Sequence, residues 1–367
     1  MKNRLIAIAS GRIMGEIRYE GGRLDFHYAP SWSDDASAFP MSLSMPLVVQ
    51  EHGHSKVEAF LWGLLPDNEV VLQRWGQKFR VSPRNPFRLI ENVGEDCAGA
   101  IQFAKPDRVE HLLGPSQKPT VHWISNRELD ERIALLASDA AATRLGGDNG
   151  QFSLAGAQPK LALYRDRDSG RWGVPEGRTP TTHILKPSTG AFDGQTENEH
   201  FCLQLAAELG FVAANSSVCI CGGLPVIVVE RYDRLAKGSS IQRIHQEDMG
   251  QALAVRPQKK SKPRRAVAKS DCGINPVPLG QSRRGCLALR RQFDFELAHG
   301  GHGWTCKKLF LSPRRGRAGP VGAALRFGKF TALSTANPTA HGHTRDENRV
   351  GIQLVAHRQK RVGILRP

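Results

Sequence analysis

The residues best suited to chemistry lie between positions 153 and 232. "FSLAGAQPKLAL" places a turn of small residues, Ala155, Gly156, Ala157, Gln158 and Pro159, ahead of Lys160. Small residues let backbone N–H groups come close to a phosphate. "TTHILKPS" carries Lys186, and "TENEHFCLQLAAELGF" follows with Glu199. A strand lysine can neutralise phosphate oxygens, and a helix glutamate can hold that lysine in place. "VVERYDR" then supplies Glu230, Arg231 and Tyr232, a hinge whose backbone groups could meet adenine. Taken in order, these residues suggest the small lobe of a kinase. Each signal alone is weak: "AGAQPK" is no standard Gly-rich motif, and a lone lysine on a strand is ordinarily a solvated surface residue.

Regular elements must position these groups. "QFSLAGAQPKLALYRD" reads as strand, turn, strand, and "RDRDSGRWG" as a turn into another strand. The helix over "TENEHFCLQLAAELGF" is predicted to be capped by Thr196 with Glu199 at N3, and ended by Gly210. Its expected apolar stripe is Phe201, Cys202, Leu205, Ala206 and Leu209. "SVCICGGLPVIVVERYDR" predicts a hairpin with a Gly-Gly turn. Further upstream, "MKNRLIAIAS" reads as a first strand rather than a signal peptide, and "IRYEGGRLDFHY" as a second Gly-Gly hairpin. "HSKVEAFLWGLLPDNEVV" predicts a helix with Val57, Phe60, Leu61, Leu64 and Leu65 on one face, closed by Pro66. Phe60 and Trp62 are expected to pack in a core.

The chain has 367 residues, enough for two or three domains. It has no run of about 18 apolar residues that could span a membrane. Among seven cysteines, Cys219 and Cys221 are one residue apart and lack zinc-knuckle spacing, so reduced thiols of a cytoplasmic protein are expected. The net charge of +16 is unevenly spread. From Lys259 onward there are 23 Lys+Arg and 5 Asp+Glu, a net of +18, which leaves 28 and 30 before it. The expected organisation is a first domain over 1–108, a nucleotide-binding small lobe over 109–258, and a basic tail over 259–367. The tail is rich in Pro and Gly without a sustained period, so it reads as disordered.

Longer motifs sharpen this picture. "FPMSLSMPL", "FLWGLLPDNE", "VSPRNPF" and "GEDCAGAIQF", then "FSLAGAQPKLAL", "THILKPS", "NEHFCLQLAAELG", "VVERYDR" and "HQEDM", resemble the HipA family over residues 1 to about 255. HipA proteins are kinase toxins of type II toxin–antitoxin systems. The resemblance implies an α+β fold, with a HipA-like N-terminal domain and a small lobe of the protein-kinase and phosphatidylinositol-kinase type. It implies a Ser/Thr protein kinase using ATP and Mg²⁺. The implied partners are a HipB-like helix-turn-helix antitoxin, operator DNA reached through it, and an aminoacyl-tRNA synthetase as protein substrate. By the same resemblance Ala155 to Lys160 line the phosphates, Lys186 contacts ATP, Glu230 to Tyr232 form the adenine hinge, and Ser153 is an inhibitory autophosphorylation site.

The family's catalytic loop, similar to "GGTDGHAKN", and its metal-binding "YD" are missing, so no catalytic or metal residue is assigned. An aspartate is needed to orient the attacking hydroxyl, and Asn and Asp oxygens to hold Mg²⁺. The stretch "GGHGWTCKKLF" at 300–310 accounts for the loss. Gly301 to Leu309 must be encoded GGN CAY GGN TGG ACN TGY AAR AAR YTN. Read one nucleotide later, these codons permit "GTDGHAKN". In the same offset, Phe293 to Gly300 permits "SILNWLMG", Pro320 to Lys329 permits "RLAPLYDLAS", and Pro263 to Ala268 permits "RGGPSP". The helical catalytic lobe is therefore expected to be out of frame, with the break between Met249 and Pro263. A metal site at His299, His302 and Cys306 is possible by residue type, but no second ligand pair has finger spacing. A basic nucleic-acid-binding tail would explain the charge but not the register match. An error in the gene sequence, with an active kinase behind it, is a third reading.

Overall fold

Alternation of apolar and polar residues at the N-terminus builds a meander. In this computed structural model, β1 (Asn3–Ala9), β2 (Arg12–Glu20) and β3 (Arg23–Tyr28) pair antiparallel. The β2–β3 turn puts Gly21 and Gly22 at φ +57° and +80°, as a tight hairpin turn of primed type requires. Residues 3–114, 119–142, 153–156, 158–189, 194–210, 212–238 and 240–256 are described by the structure, with the backbone of 309–314 and 322–327.

After α1 (Pro30–Ser33) come β4 (Glu51–His52), α2 (His54–Leu64), α3 (Glu69–Phe79), α4 (Pro86–Val93) and β5 (Ile101–Ala104). The first sheet has the order β4-β3-β2-β1-β5. Leu5, Ala7, Met14, Ile17 and Phe26 pack there with Phe60, Leu61, Leu64, Phe87, Ile90 and Phe103. The face expected for α2 is the buried one: Val57, Phe60, Leu61 and Leu64 lie inside, Leu65 is the buried C-cap residue, and Trp62 is also in the core.

The second sheet is formed by β6 (Val121–Trp123), β7 (Leu161–Arg165), β8 (Trp172–Pro175), β9 (His183–Pro187), β10 (Ser216–Cys221) and β11 (Leu224–Glu230), in the order β10-β11-β9-β7-β8-β6. One core joins Leu161, Leu163, Leu185, Val226 and Val228 to Ile133 and Leu136 of α5 (Asn126–Ser138). A capping box starts α5: the Glu128 amide donates to the Ser125 hydroxyl at 3.2 Å, and the Ser125 amide donates to Glu128 Oε2 at 2.7 Å. On α6 (Gln195–Glu208) two expectations fail. Its N-cap is Gly194 at φ +65°, without a side-chain cap, so Thr196 and Glu199 form no capping box. Its buried residues are Thr196, Glu199, Leu203 and Ala206, whereas Phe201 is 63% exposed and Leu209 is 52% exposed. The helix turns its glutamate inward, so the most apolar stripe is not the inner one. Gly210, at φ +81°, follows the helix end as expected.

The chain continues through β12 (Arg234–Lys237), β13 (Ser240–Arg243), β14 (Glu247–Asp248) and α7 (Met249–Ala252). Most of the tail expected to be disordered lies outside the described residues, including His299, His302 and Cys306. Two short strands are described within it. β15 (Leu309–Arg314) and β16 (Gly322–Phe327) pair antiparallel, and β15 pairs with β14. The runs "LFL" and "AALRF" bring enough β propensity to extend that ladder.

Candidate nucleotide site

β9 and α6 bring together the two residues most suited to phosphate chemistry. Lys186 Nζ forms an ion pair with Glu199 Oε1, and both side chains are almost fully buried. Lys186 reaches the helix because β9 is interior to the sheet, between β11 and β7. Ile227 is its register partner on β11. Burying a charge is costly unless it is paired. The pair therefore fixes the angle between β9 and α6 while keeping an ammonium at the sheet face.

The loop before β7 is held from both ends. No strand forms over 153–156, contrary to the expected strand–turn–strand. Ser153 is fully buried: its amide donates to the Asp96 carbonyl at 3.1 Å, and its hydroxyl donates to the Leu64 carbonyl at 2.8 Å. Gly156 adopts φ +117°, which a side chain would disfavour. Lys160 closes the loop, donating to the carbonyls of Gly156 at 3.0 Å and Gln158 at 2.7 Å. Ala155, Gln158 and Pro159 are partly exposed along it. Ala157 lies outside the described residues.

The segment expected to form a hinge is more deeply engaged than the sequence suggested. The Glu230 amide donates to the Asn215 carbonyl at 2.9 Å and the Arg231 amide to the Thr182 carbonyl at 2.8 Å. Arg231 is not a surface residue: its guanidinium donates to Asp233, Thr181 Oγ1 and the Cys97 carbonyl. The Tyr232 hydroxyl donates to Gln246 Oε1.

Asp96 and Asp233 are the anions of a buried network with Arg231, Arg234 and Arg243. Burial alone would raise the Asp96 carboxyl, but Arg243, Arg234 and Arg231 hold it below the usual carboxylate range. Burial also opposes the Asp233 carboxylate, which Arg231 and Arg234 keep strongly acidic. Burial pulls Arg243 down to about 10, against the pull of Asp96. Asp96 also accepts from the Thr181 amide and hydroxyl, so one aspartate ties the 153–160 loop, β9 and the hinge together. Sequence reading missed this cluster. Its signal was present in "GEDC" and "ERYDR", where charges crowd beside apolar runs.

The "HQEDM" segment docks on the first sheet's domain. His245 Nε2 lies 3.1 Å from the Met41 carbonyl, the Leu43 amide donates to Glu247 Oε1 at 2.8 Å, and Gln251 Nε2 donates to the Phe60 carbonyl at 2.9 Å. Burial pushes His245 down to about 4 and Glu247 up to about 7. Among the described residues no three of His, Cys, Asp or Glu converge to hold a metal ion. The lysine pair and the Gly156 loop offer what a nucleotide's phosphates need: a fixed cation and closely approaching backbone.

Two family models match this arrangement: the HipA N-terminal domain over residues 5–104 and the HipA-like C-terminal domain over residues 152–271. The chain belongs to the HipA family. It is 38% identical over 269 residues to the Y4mE protein of Sinorhizobium fredii, covering 71% of this chain and 62% of that protein. It is 28% identical over 264 residues to the serine/threonine-protein kinase toxin HipA of Shewanella oneidensis, covering 68% of this chain and 54% of the toxin. It thus spans only about three-fifths of the length of these HipA-family relatives. Among solved structures, the S. oneidensis MR-1 toxin–antitoxin complex of HipA, HipB and operator DNA is similar, with a TM-score of 0.65 and 26% identity, over 88% of this chain and 74% of that one. The α+β HipA-like fold is therefore shared. Among the described residues no helix is long and apolar enough to cross a membrane.

Proposed function

We propose that this chain is a HipA-like Ser/Thr kinase toxin with a built nucleotide-binding lobe and no catalytic loop in frame, and so without phosphoryl-transfer activity. The buried Lys186–Glu199 pair carries the nucleotide reading. Lys186 holds the phosphates of ATP, the 155–160 loop covers them, and the Glu230–Tyr232 segment abuts the base. Mg²⁺ belongs to the family's chemistry and has no ligand set in the described residues. The domain limits we assign are 1–108, 109–258 and 259–367.

The frame reading is supported by the codons of Gly301 to Leu309. The partners we infer are a HipB-like helix-turn-helix antitoxin with operator DNA, as in the Shewanella complex, and an aminoacyl-tRNA synthetase substrate for the in-frame enzyme. Ser153 is the inferred inhibitory phosphorylation site. Its hydroxyl is bonded to the Leu64 carbonyl, so modification requires the loop to leave its seat. A second reading, a non-catalytic antitoxin- or nucleic-acid-binding module, is favoured by the net +18 of residues 259–367.

The deciding experiment compares two frames. A one-nucleotide correction between codons 249 and 263 is expected to yield an ATP- and Mg²⁺-dependent kinase that slows growth unless a helix-turn-helix partner is co-expressed. The uncorrected chain is expected to transfer no phosphate. A corrected protein that folds but does neither refutes the kinase assignment. Transfer to Ser153 by the uncorrected chain, abolished in Lys186→Met, refutes the inactivity.

A further inference from the structure

The first 258 residues are nearly neutral, with 28 Lys+Arg and 30 Asp+Glu, yet their charges are not evenly mixed. From Val70 to Ile90 there are five cations, Arg74, Lys78, Arg80, Arg84 and Arg88, and no acid. A solvated face ordinarily intersperses both signs. Between Glu69, the first residue of α3, and Glu91 of α4, a run of 21 residues excludes one of them.

The structure fixes where these cations stand. Arg74 and Lys78 are one turn apart on the exposed side of α3. Arg80 is the C-cap at φ +55°, and its amide and that of Val81 donate back to the last turn of the helix. The chain then doubles back against Gly76: a Cβ there would lie 2.9 Å from the Val81 carbonyl oxygen and 3.1 Å from Pro83. Residues 81–84 are thus pressed on the end of α3. Arg74 has a carboxylate partner in Asp139 and Arg88 one in Glu91. Lys78, Arg80 and Arg84 are exposed and have no carboxylate partner among the described residues. The bland account is that cations complement the helix C-terminus, but that end carries only about half a charge. It does not call for three cations without a carboxylate partner among the described residues, of which only Lys78 has a ring beside it, that of Phe79 at 6.0 Å.

We infer that the α3–α4 ridge, through Lys78, Arg80 and Arg84, is a docking surface for the phosphodiester backbone of a nucleic-acid duplex. Four of the five cations are arginines, whose planar forks suit phosphate oxygens. The ridge presents no buried reading groups, so contact is expected to position the protein without selecting sequence. The inference uses none of the residues of the nucleotide site, and its failure leaves the kinase reading untouched.

The test uses the full chain and a labelled 20-base-pair duplex of arbitrary sequence. Lys78→Glu, Arg80→Asn and Arg84→Glu are combined; asparagine tolerates the left-handed backbone at position 80. The control combines Arg23→Glu, Arg127→Glu and Lys237→Gln, an equal change of net charge at exposed positions. The basic tail is the same in both. At about 0.9 per phosphate contact, the ridge variant should flatten the slope of log affinity against log salt by about 2.7 relative to the control. In a parallel acetylation experiment, bound duplex should protect Lys78 several-fold and leave Lys56 and Lys105 reactive. Equal slopes in the two variants, or a Lys78 as reactive with duplex as without it, overturn the proposal. Displacement of the duplex from Lys78 by poly-glutamate at lower phosphate-equivalent concentration assigns the ridge to an acidic protein and also overturns it.

Discussion

Glu247 occupies a site where a charged carboxylate is expensive. Burial raises it from its ordinary value near 4.5 to about 7, against the Ser42 hydroxyl and the Leu43 amide, and the charge of Asp248 adds to the rise. The folded state therefore holds this proton more tightly than the unfolded chain does. Its contribution favours folding below pH 4.5 and is lost as the pH climbs through about 7. Glu247→Gln keeps the shape and stays neutral. The stability of this variant relative to the parent should rise between pH 5 and 7 by up to about 3 kcal/mol, then level off. Urea unfolding of both proteins across that range measures it, and the buried histidines His183 and His245 titrate in both and cancel. A difference that does not change with pH would mean that Glu247 ionises normally in the fold.

At the scale of elements, two glycines let the "HQEDM" segment and α7 approach the first domain. A Cβ on Gly63 would lie 2.4 Å from the Gln251 side chain. On Gly99 it would lie 2.9 Å from the Gln246 carbonyl oxygen, and the residue stands at φ +86°. A side chain can swing away, whereas backbone cannot. Gly99→Ala should therefore cost about 2 kcal/mol or more through strain and clash. Gly63→Ala should cost less and be partly relieved by a second change, Gln251→Ala. Chemical denaturation of the two single variants and the double variant checks this order. Equal costs, or no relief by Gln251→Ala, would show that α7 is not seated on α2 through that contact.

The whole molecule joins two hydrophobic cores through the Asp96 network. Asp96 precedes β5 of the first sheet, while Arg231, Arg234 and Arg243 follow the second sheet. The join is made of charges that cannot be exposed singly, so the two cores should unfold together. Trp32, Trp62 and Trp75 report on the first sheet's domain, and Trp123 and Trp172 on the second. With one set replaced by phenylalanine at a time, the full chain should show coincident urea transitions. Asp96→Ala leaves three buried guanidinium groups short of an anion, which should cost about 3–5 kcal/mol, and the two transitions should separate. Transitions already separate in the parent would mean that the network does not couple the cores.

Much of this was already legible in the linear chain. The Gly-Gly hairpins, the buried face of α2 and the strand carrying Lys186 follow from local rules: alternation, period and turn chemistry act over a few residues. The order of small turn, lysine and helix glutamate was enough to nominate Lys186 and Glu199, and the codons of 301–309 supply a register that no fold could display. What required the tertiary structure was the direction in which polar residues face. The inward turn of α6 is decided by a partner on β9, because a buried glutamate is tolerable only beside a cation. The Asp96–Asp233–Arg cluster likewise draws on residues more than a hundred positions apart. Periodicity ranks residues by apolarity, so it assigns charged groups to the surface; only the assembled packing shows where opposite charges meet closely enough to remain inside.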